Sequence, residues 1–431
     1  MADTSPAKRI AIIGAGPIGL EMALGSVMRG LEVSLFEKAE SCAGHVQSYH
    51  FVRLFSPWKL NYTPAGLEAL GKLGVAGPTD EESFPTGQEF YDEYLKPLTK
   101  ALEQHPKCRG MHFGTEVLSI GRGALLKGES IGGGAMCMPS HAPLCQTQRA
   151  QTPFRLLVRD AAGERFLDGF DFIADCTGSY RGDFANWSGI GGMPAPGERA
   201  LRTSGRIWST IPDVLGAARA RFAGKTALVV GSGMSAATAL RNLAELAKED
   251  QGTQVHWATR SNGSPFKVIE DDVLPQRKEL CLMGNSAARG DIPSIKYQGG
   301  ACVKAIEQSQ GGRLHVVLET LEGECAVEVD EFVGCCGFRP DTALYSELQV
   351  HTCYASDGPI KLAATLLGGS GDCLKQVSAG ADALKSPEPG FFILGHKSYG
   401  RSSAFLLKIG HEQVRTVLDE IAPAADAAAG N

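Results

Sequence analysis

Residues 9–20 read Arg9-Ile10-Ala11-Ile12-Ile13-Gly14-Ala15-Gly16-Pro17-Ile18-Gly19-Leu20, and their reading decides the fold. The apolar, β-branched run before Gly14 suits a strand buried in a parallel sheet. Ile18, Leu20, Met22, Ala23, Leu24 and Val27 then suit a helix packed closely on that sheet, with Gly30 at its end. A second strand, Leu31–Phe36, closes on Glu37, 23 positions after Gly14. Strand, glycines, helix, strand and acid together make a complete dinucleotide-binding βαβ unit. Gly14 allows the tight turn, Gly16 leaves room for a pyrophosphate, and Gly19 lets helix and strand approach. Pro17 opens the helix, whose N-terminus offers free N–H groups to phosphate oxygens. Glu37, followed by Lys38, is placed to accept hydrogen bonds from a ribose hydroxyl pair.

Working outward, the same device recurs at 225–260. Ala227-Leu228-Val229-Val230 is a strand, Gly231-Ser232-Gly233-Met234-Ser235-Ala236 is the turn, and a helix carries Ala237, Leu240, Leu243 and Leu246. The second strand, Thr253–Thr259, ends at Arg260, with no acid beside it. A carboxylate there would repel a 2′-phosphate, whereas a guanidinium pairs with it bidentately. The first site therefore suits FAD and the second NADPH. Two stretches echo each other behind these turns. Asp171–Gly178 ends in Cys176-Thr177-Gly178, and Asp330–Asp341 contains Cys335-Cys336-Gly337. Each reads as a strand whose end sends the chain from one domain to the other.

The expected fold class is α/β, with two Rossmann-like domains of the three-layer ββα type, the second inserted in the first. The first, FAD-binding, takes 1–210 and 325–431, and the second, NADPH-binding, takes 211–324. A chain of 431 residues accommodates two or three domains. Apolar residues make up 43% and charged residues 21%, an ordinary globular balance. No apolar run is long enough to span a membrane. The short N-terminal lead suggests no targeting peptide, and cytoplasm is the expected location. A net charge of −6 gives no footprint for nucleic acid. The 12 cysteines show no Cys-x-x-Cys and no zinc spacing, so no metal is expected.

Between the two turns, Thr86 and Glu89 form a capping box for a helix with Phe90, Tyr94, Leu95, Leu98 and Leu102 on its buried face. Met111–Ile120 reads as one strand. Residues 121–150, with Gly132-Gly133-Gly134, read as a flexible insertion, and Gly189–Gly197 as an interdomain linker. Near the end, Gly390–Lys397 is a strand closing at Gly395, and a helix runs from about Ala404 to Ile421.

This order of motifs resembles the two-dinucleotide-binding-domain flavoproteins, a group holding flavin-containing and N-hydroxylating monooxygenases and thioredoxin-reductase-like enzymes. The resemblance implies that Gly14, Gly16, Gly19 and Glu37 hold FAD, and that Gly231, Gly233, Ala236 and Arg260 hold NADPH. It places Gly178 and Gly337 at the domain crossings and Gly395 beside the flavin phosphate and ribityl chain. His396 stands where many members have an acid. The FxGxxxH signature of flavin-containing and Baeyer–Villiger monooxygenases is absent, as is the disulfide reductases' Cys-x-x-Cys, so the chain looks like an outlying branch. The activity implied is NADPH-driven oxygenation of a small-molecule N or S with O2, through a flavin C4a-hydroperoxide. The alternative is reduction of a quinone, protein or thiol acceptor. Asn61 falls where related monooxygenases place an amide, and His396 and Tyr399 are acid/base candidates, with Lys397 and Arg401 as phosphate anchors. A homodimer is compatible with this layout.

Overall fold

A computed structural model describes residues 7–130, 148–367 and 380–423. Most of the expected flexible insertion and the end of the tail lie outside them. The described chain forms two compact units. One contains 7–50, 57–130, 148–179, 339–367 and 380–423, and the other 51–56 and 180–338.

In the first unit, β1 to β7 are Arg9–Ile13, Glu32–Phe36, Cys108–His112, Glu116–Gly121, Phe154–Asp160, Gly163–Phe170 and Phe172–Asp175. A closing strand, Phe391–Ile393, completes a five-stranded parallel sheet in the order closing strand, β7, β1, β2, β3. The strands next to Gly14 are buried on both faces: Ile10, Ala11 and Ile12 have no exposed surface. That is why they read as an unbroken apolar run. Helix α1, Pro17–Met28, covers one face, and the closing helix, Leu407–Ile421, packs on α1. The antiparallel layer β4-β5-β6 buries Ile120, Phe154, Leu156 and Val158 with Phe36 and Ile173.

The second unit repeats this plan. β8 to β15 are Ile207–Trp208, Thr226–Val230, Gln254–Ala258, Ile295–Gln298, Cys302–Gln308, Leu314–Thr320, Gly323–Val329 and Glu331–Gly334. Its parallel sheet runs β11-β10-β9-β15-β8, beside an antiparallel layer β12-β13-β14. Strand for strand, β9, β10, β11 and β15 stand where β1, β2, β3 and β7 stand in the first. The fifth place is filled by residues from opposite directions along the chain, 391–393 in one unit and 207–208 in the other.

Several local expectations change. Met111–Ile120 is two strands, because Gly114 turns the chain at φ +62 between β3 and β4. The second unit takes 180–338, a wider span than 211–324. The reason is pairing: β8 hydrogen-bonds with β15, and Gly189 bridges Val303. The expected linker is therefore built into the second unit. The last helix starts at Leu407 and not near Ala404, since Leu406 is extended at φ −125, ψ 153. The capping box forms with both bonds present, and all five apolar positions of that helix are buried.

Candidate functional site

The first turn sits where β1 ends. Gly14 donates its N–H to the Phe36 carbonyl at 2.7 Å and adopts φ +98. A Cβ on Gly14 would lie 2.7 Å from the Cys176 carbonyl oxygen, and one on Gly19 would lie 1.8 Å from the Gly14 carbonyl oxygen. Both glycines are thus demanded by backbone packing. Gly16 differs, because an added Cβ there meets nothing within 4 Å. Gly16 is also the N-cap of α1, which has no side-chain cap and no acid in its first turn. The free N–H groups and the positive helix end are left to an external anion. Glu37 is fixed over this turn, accepting from the Ala15 N–H at 2.8 Å and the Ala39 N–H at 2.9 Å. Each carboxylate oxygen keeps a second lone pair for a sugar hydroxyl. Lys38 turns away to Glu116 at 2.8 Å.

The second turn reproduces this geometry. Gly231, at φ +126, donates to the Ala258 carbonyl at 3.0 Å, and an added Cβ would lie 2.1 Å from the Cys335 carbonyl oxygen. Cys335 therefore plays the part of Cys176. Gly178 and Gly337 follow them at φ +66 and +84. Gly233 is again open, with nothing within 4 Å of an added Cβ, and caps helix Met234–Glu249, which has no side-chain cap and no first-turn acid. Ser235 lies in the first turn, and Ala236 takes the place of Gly19 with a fully buried methyl. Arg260 is exposed at the strand end. Sequence reasoning missed Trp257, whose indole N–H donates to the Gly231 carbonyl at 2.8 Å and braces the turn. A tryptophan one strand away gives no local sign of that reach.

The remaining candidates are built into the first unit. His396 is 8% exposed, and its Nδ1 lies 2.5 Å from Ser179 Oγ. Burial, with His45 nearby, pushes its imidazole down to about 4, so it is neutral at pH 7. Tyr399 is 2% exposed, and burial pushes its phenol up to about 12. Both rings meet Phe405 edge-on, at 5.7 and 5.4 Å. Asn61 is 1% exposed and donates its amide to the Pro57 carbonyl at 3.1 Å. Gly395 gives its N–H to Gln413 Oε1 at 2.9 Å.

The two phosphate-anchor candidates both have carboxylate partners within the protein. Lys397 is fully buried and pairs with Asp175 at 2.6 Å while donating to Thr177 Oγ1 at 3.0 Å. Its charge is spent holding the strand end. Arg401 pairs with Asp357 at 2.6 Å. The cysteines beside the turns are held as thiols: burial pushes Cys42, Cys176 and Cys335 up, and Cys336 up to about 12. No helix among the described residues is long and apolar enough to cross a membrane.

Two duplicated sheets, each ending in an uncapped helix behind an open glycine, define the fold of the two-dinucleotide-binding-domain flavoproteins. Residues 12–72 match the NAD(P)-binding Rossmann-like domain family. Bacillithiol disulfide reductase from Bacillus cereus is similar in structure, with a TM-score of 0.64, 16% identity, and coverage of 97% of this chain and 99% of that one. The cadaverine monooxygenase of desferrioxamine biosynthesis from Erwinia amylovora, solved with FAD, gives 0.62 at 14% identity, covering 97% and 95%. A flavin-containing monooxygenase from Stenotrophomonas maltophilia gives 0.55 at 18% identity, covering 96% and 98%. No curated protein sequence matches the chain.

Proposed function

We propose that this chain is an FAD-dependent oxidoreductase reduced by NADPH, acting as a monooxygenase on a nitrogen or sulfur atom of a small molecule, with O2 as co-substrate. The observation that carries the cofactor assignment is the pair of turns. Backbone closes Gly14 and Gly19 in the first and Gly231 in the second, while Gly16 or Gly233 opens onto an uncapped helix N-terminus. Glu37 at the first and Arg260 at the second divide the two dinucleotides. FAD, held by Gly14, Gly16, Gly19 and Glu37, would supply the redox chemistry. Gly231, Gly233, Ser235, Ala236 and Arg260 would hold NADPH. His396 and Ser179 form a buried neutral pair able to pass a proton through Ser179 Oγ and His396 Nδ1.

The monooxygenase and disulfide-reductase folds among the similar structures make a reductase the second reading. Cys176, Cys335 and Cys336 are held protonated, which disfavours a thiol relay beside the turns. A quinone acceptor remains the form of the alternative best suited to that chemistry.

Purified protein reconstituted with FAD should be yellow and should bleach anaerobically with NADPH faster than with NADH. Arg260→Ala should cut the NADPH preference by roughly tenfold, the size of one lost charge-assisted contact. An unchanged NADPH-to-NADH ratio in Arg260→Ala would refute the role given to that arginine. Colourless protein that takes up no FAD would remove the enzymatic reading altogether. Oxygen uptake matched to an oxygenated product supports the monooxygenase, and fast quinone reduction without such a product supports the reductase.

A further inference from the structure

Helix α1 carries one buried acid. Glu21 lies four residues after Pro17 and is 4% exposed. Its Oε1 accepts from the Tyr94 hydroxyl, and its Oε2 accepts from Thr63 Oγ1 at 2.8 Å. The three side chains come from three elements. Thr63 caps helix Pro64–Lys72, and Tyr94 lies on the π turn Tyr91–Leu95. Each hydroxyl is already an acceptor: the Thr63 N–H donates to Tyr94 Oη at 3.2 Å, and the Gly66 N–H donates to Thr63 Oγ1 at 3.0 Å. Their protons are therefore steered toward Glu21. A Cβ on Gly66 would lie 1.8 Å from Tyr94 Oη, so the cluster has no slack.

Among the described residues, no cation pairs with this carboxyl. Glu68 and Lys72 on helix Pro64–Lys72 pair with each other at the surface. Asp92 and Glu93 of the π turn and Lys96 and Lys100 beyond it are exposed. On the closing helix, His411 is held neutral by burial, and Asp419 pairs with Arg29 at the far end of α1. Burial pushes the Glu21 carboxyl from its ordinary 4.5 up to about 7, against the pull of its two hydroxyl donors. The ordinary cellular range thus straddles its titration.

We propose that the Glu21–Thr63–Tyr94 cluster is a proton-linked latch on the dinucleotide-binding helix, so that affinity at the first glycine turn falls as Glu21 ionises. Glu21 is one turn into the helix, about 6 Å along its axis from Pro17. An ionised Glu21 puts a buried negative charge behind the N–H groups that meet a pyrophosphate. Two unit charges roughly 10 Å apart at an effective dielectric of about 20 repel enough to weaken binding roughly tenfold. By reciprocity, dinucleotide binding makes Glu21 take up a proton. The proposal rests on the dinucleotide reading of the first turn for its ligand, and on the cluster alone for its titration.

Two measurements on the full chain test it. In urea unfolding without cofactor, the native state keeps a proton that the unfolded chain releases between about 4.5 and about 7. The Glu21 contribution is fully present below that window, is lost as pH rises through about 7, and is level above it. Subtracting the Glu21→Gln profile from wild type should leave this step, and a flat difference overturns the latch. FAD titration, read by flavin fluorescence at pH 6 and pH 8.5, should show roughly tenfold weaker binding at the higher pH. Glu21→Gln should abolish that change, and Tyr94→Phe should move it to higher pH by removing a donor to the ionised form. A flat FAD affinity, or an equal pH dependence in Glu21→Gln, overturns the coupling. Wild type that binds no FAD at either pH defeats the cofactor reading instead, and the urea step then judges the titration on its own.

Discussion

Glu388→Gln is expected to lower the unfolding free energy by about 3–5 kcal/mol, the cost of leaving buried charge uncompensated. Among the described residues, Glu388 is the carboxylate that pairs with two guanidiniums. Arg122 Nε lies 2.8 Å from its Oε1 and Arg149 Nη2 lies 2.6 Å from its Oε2, and the Arg122, Arg149 and Glu388 side chains are 1%, 2% and 0% exposed. The other donors of both arginines are used on carbonyls: Arg122 on Thr152 and Pro389, and Arg149 on Leu126. Arg122 also stacks on Phe154 at 3.5 Å. The glutamine amide can replace one acceptor but not the charge. Since the three side chains are almost fully buried, two guanidiniums would be left with little screening, and the loss should approach the full value. A domain stabilised by 5–15 kcal/mol would lose a large part of its margin. Urea midpoints of wild type and Glu388→Gln measure this. A difference under about 1 kcal/mol would mean that the cluster relaxes and lets water in. Arg149→Met should cost less, because Arg122 still pairs with Glu388 once its neighbour is gone.

Gly19→Ala and Gly16→Ala are expected to fail in opposite ways. At Gly19 the new Cβ would stand 1.8 Å from the Gly14 carbonyl oxygen, which belongs to the turn itself and cannot swing aside. Helix α1 must move off the sheet, at a cost near the upper end of overpacking, about 3 kcal/mol. At Gly16 the new methyl meets no protein atom within 4 Å, and φ −77 is open to any residue. Its stability should stay within about 1 kcal/mol of wild type. On the proposed cofactor reading, its dinucleotide affinity should fall roughly tenfold or more, because the methyl would enter the open space assigned to the pyrophosphate. Urea unfolding and equilibrium dialysis with FAD separate the two. Unaltered FAD affinity in a folded Gly16→Ala protein would show that the open side of the turn does not face the ligand.

The parts of this protein that were legible in the chain are those written in consecutive residues. The turn at Gly14, its copy at Gly231, Glu37, Arg260 and the capping box of Thr86 and Glu89 each depend on neighbours within one strand, turn or helix. The echo of Cys176-Thr177-Gly178 in Cys335-Cys336-Gly337 also survived, as two strand ends that close their glycine turns in the same way. Errors fell where a local pattern met a distant partner. Met111–Ile120 kept an apolar rhythm through Gly114, but its halves pair in different sheets. Gly189–Gly197 had the composition of a linker, yet Gly189 pairs with Val303. Nor did any local pattern show that Lys397 and Arg401 pair with Asp175 and Asp357, far off in sequence.

By itself, then, the order of residues determined two βαβ units, their open glycines and the acid and base at their second strand ends, because steric and hydrogen-bonding demands there act over a few residues. Only the tertiary structure decided which charges are spent internally. Glu388 finds Arg122 and Arg149, Lys397 finds Asp175, and Glu21 finds Thr63 and Tyr94 across separations that no short-range pattern records. Burial sets the worth of such a group, and burial is a property of the packed core.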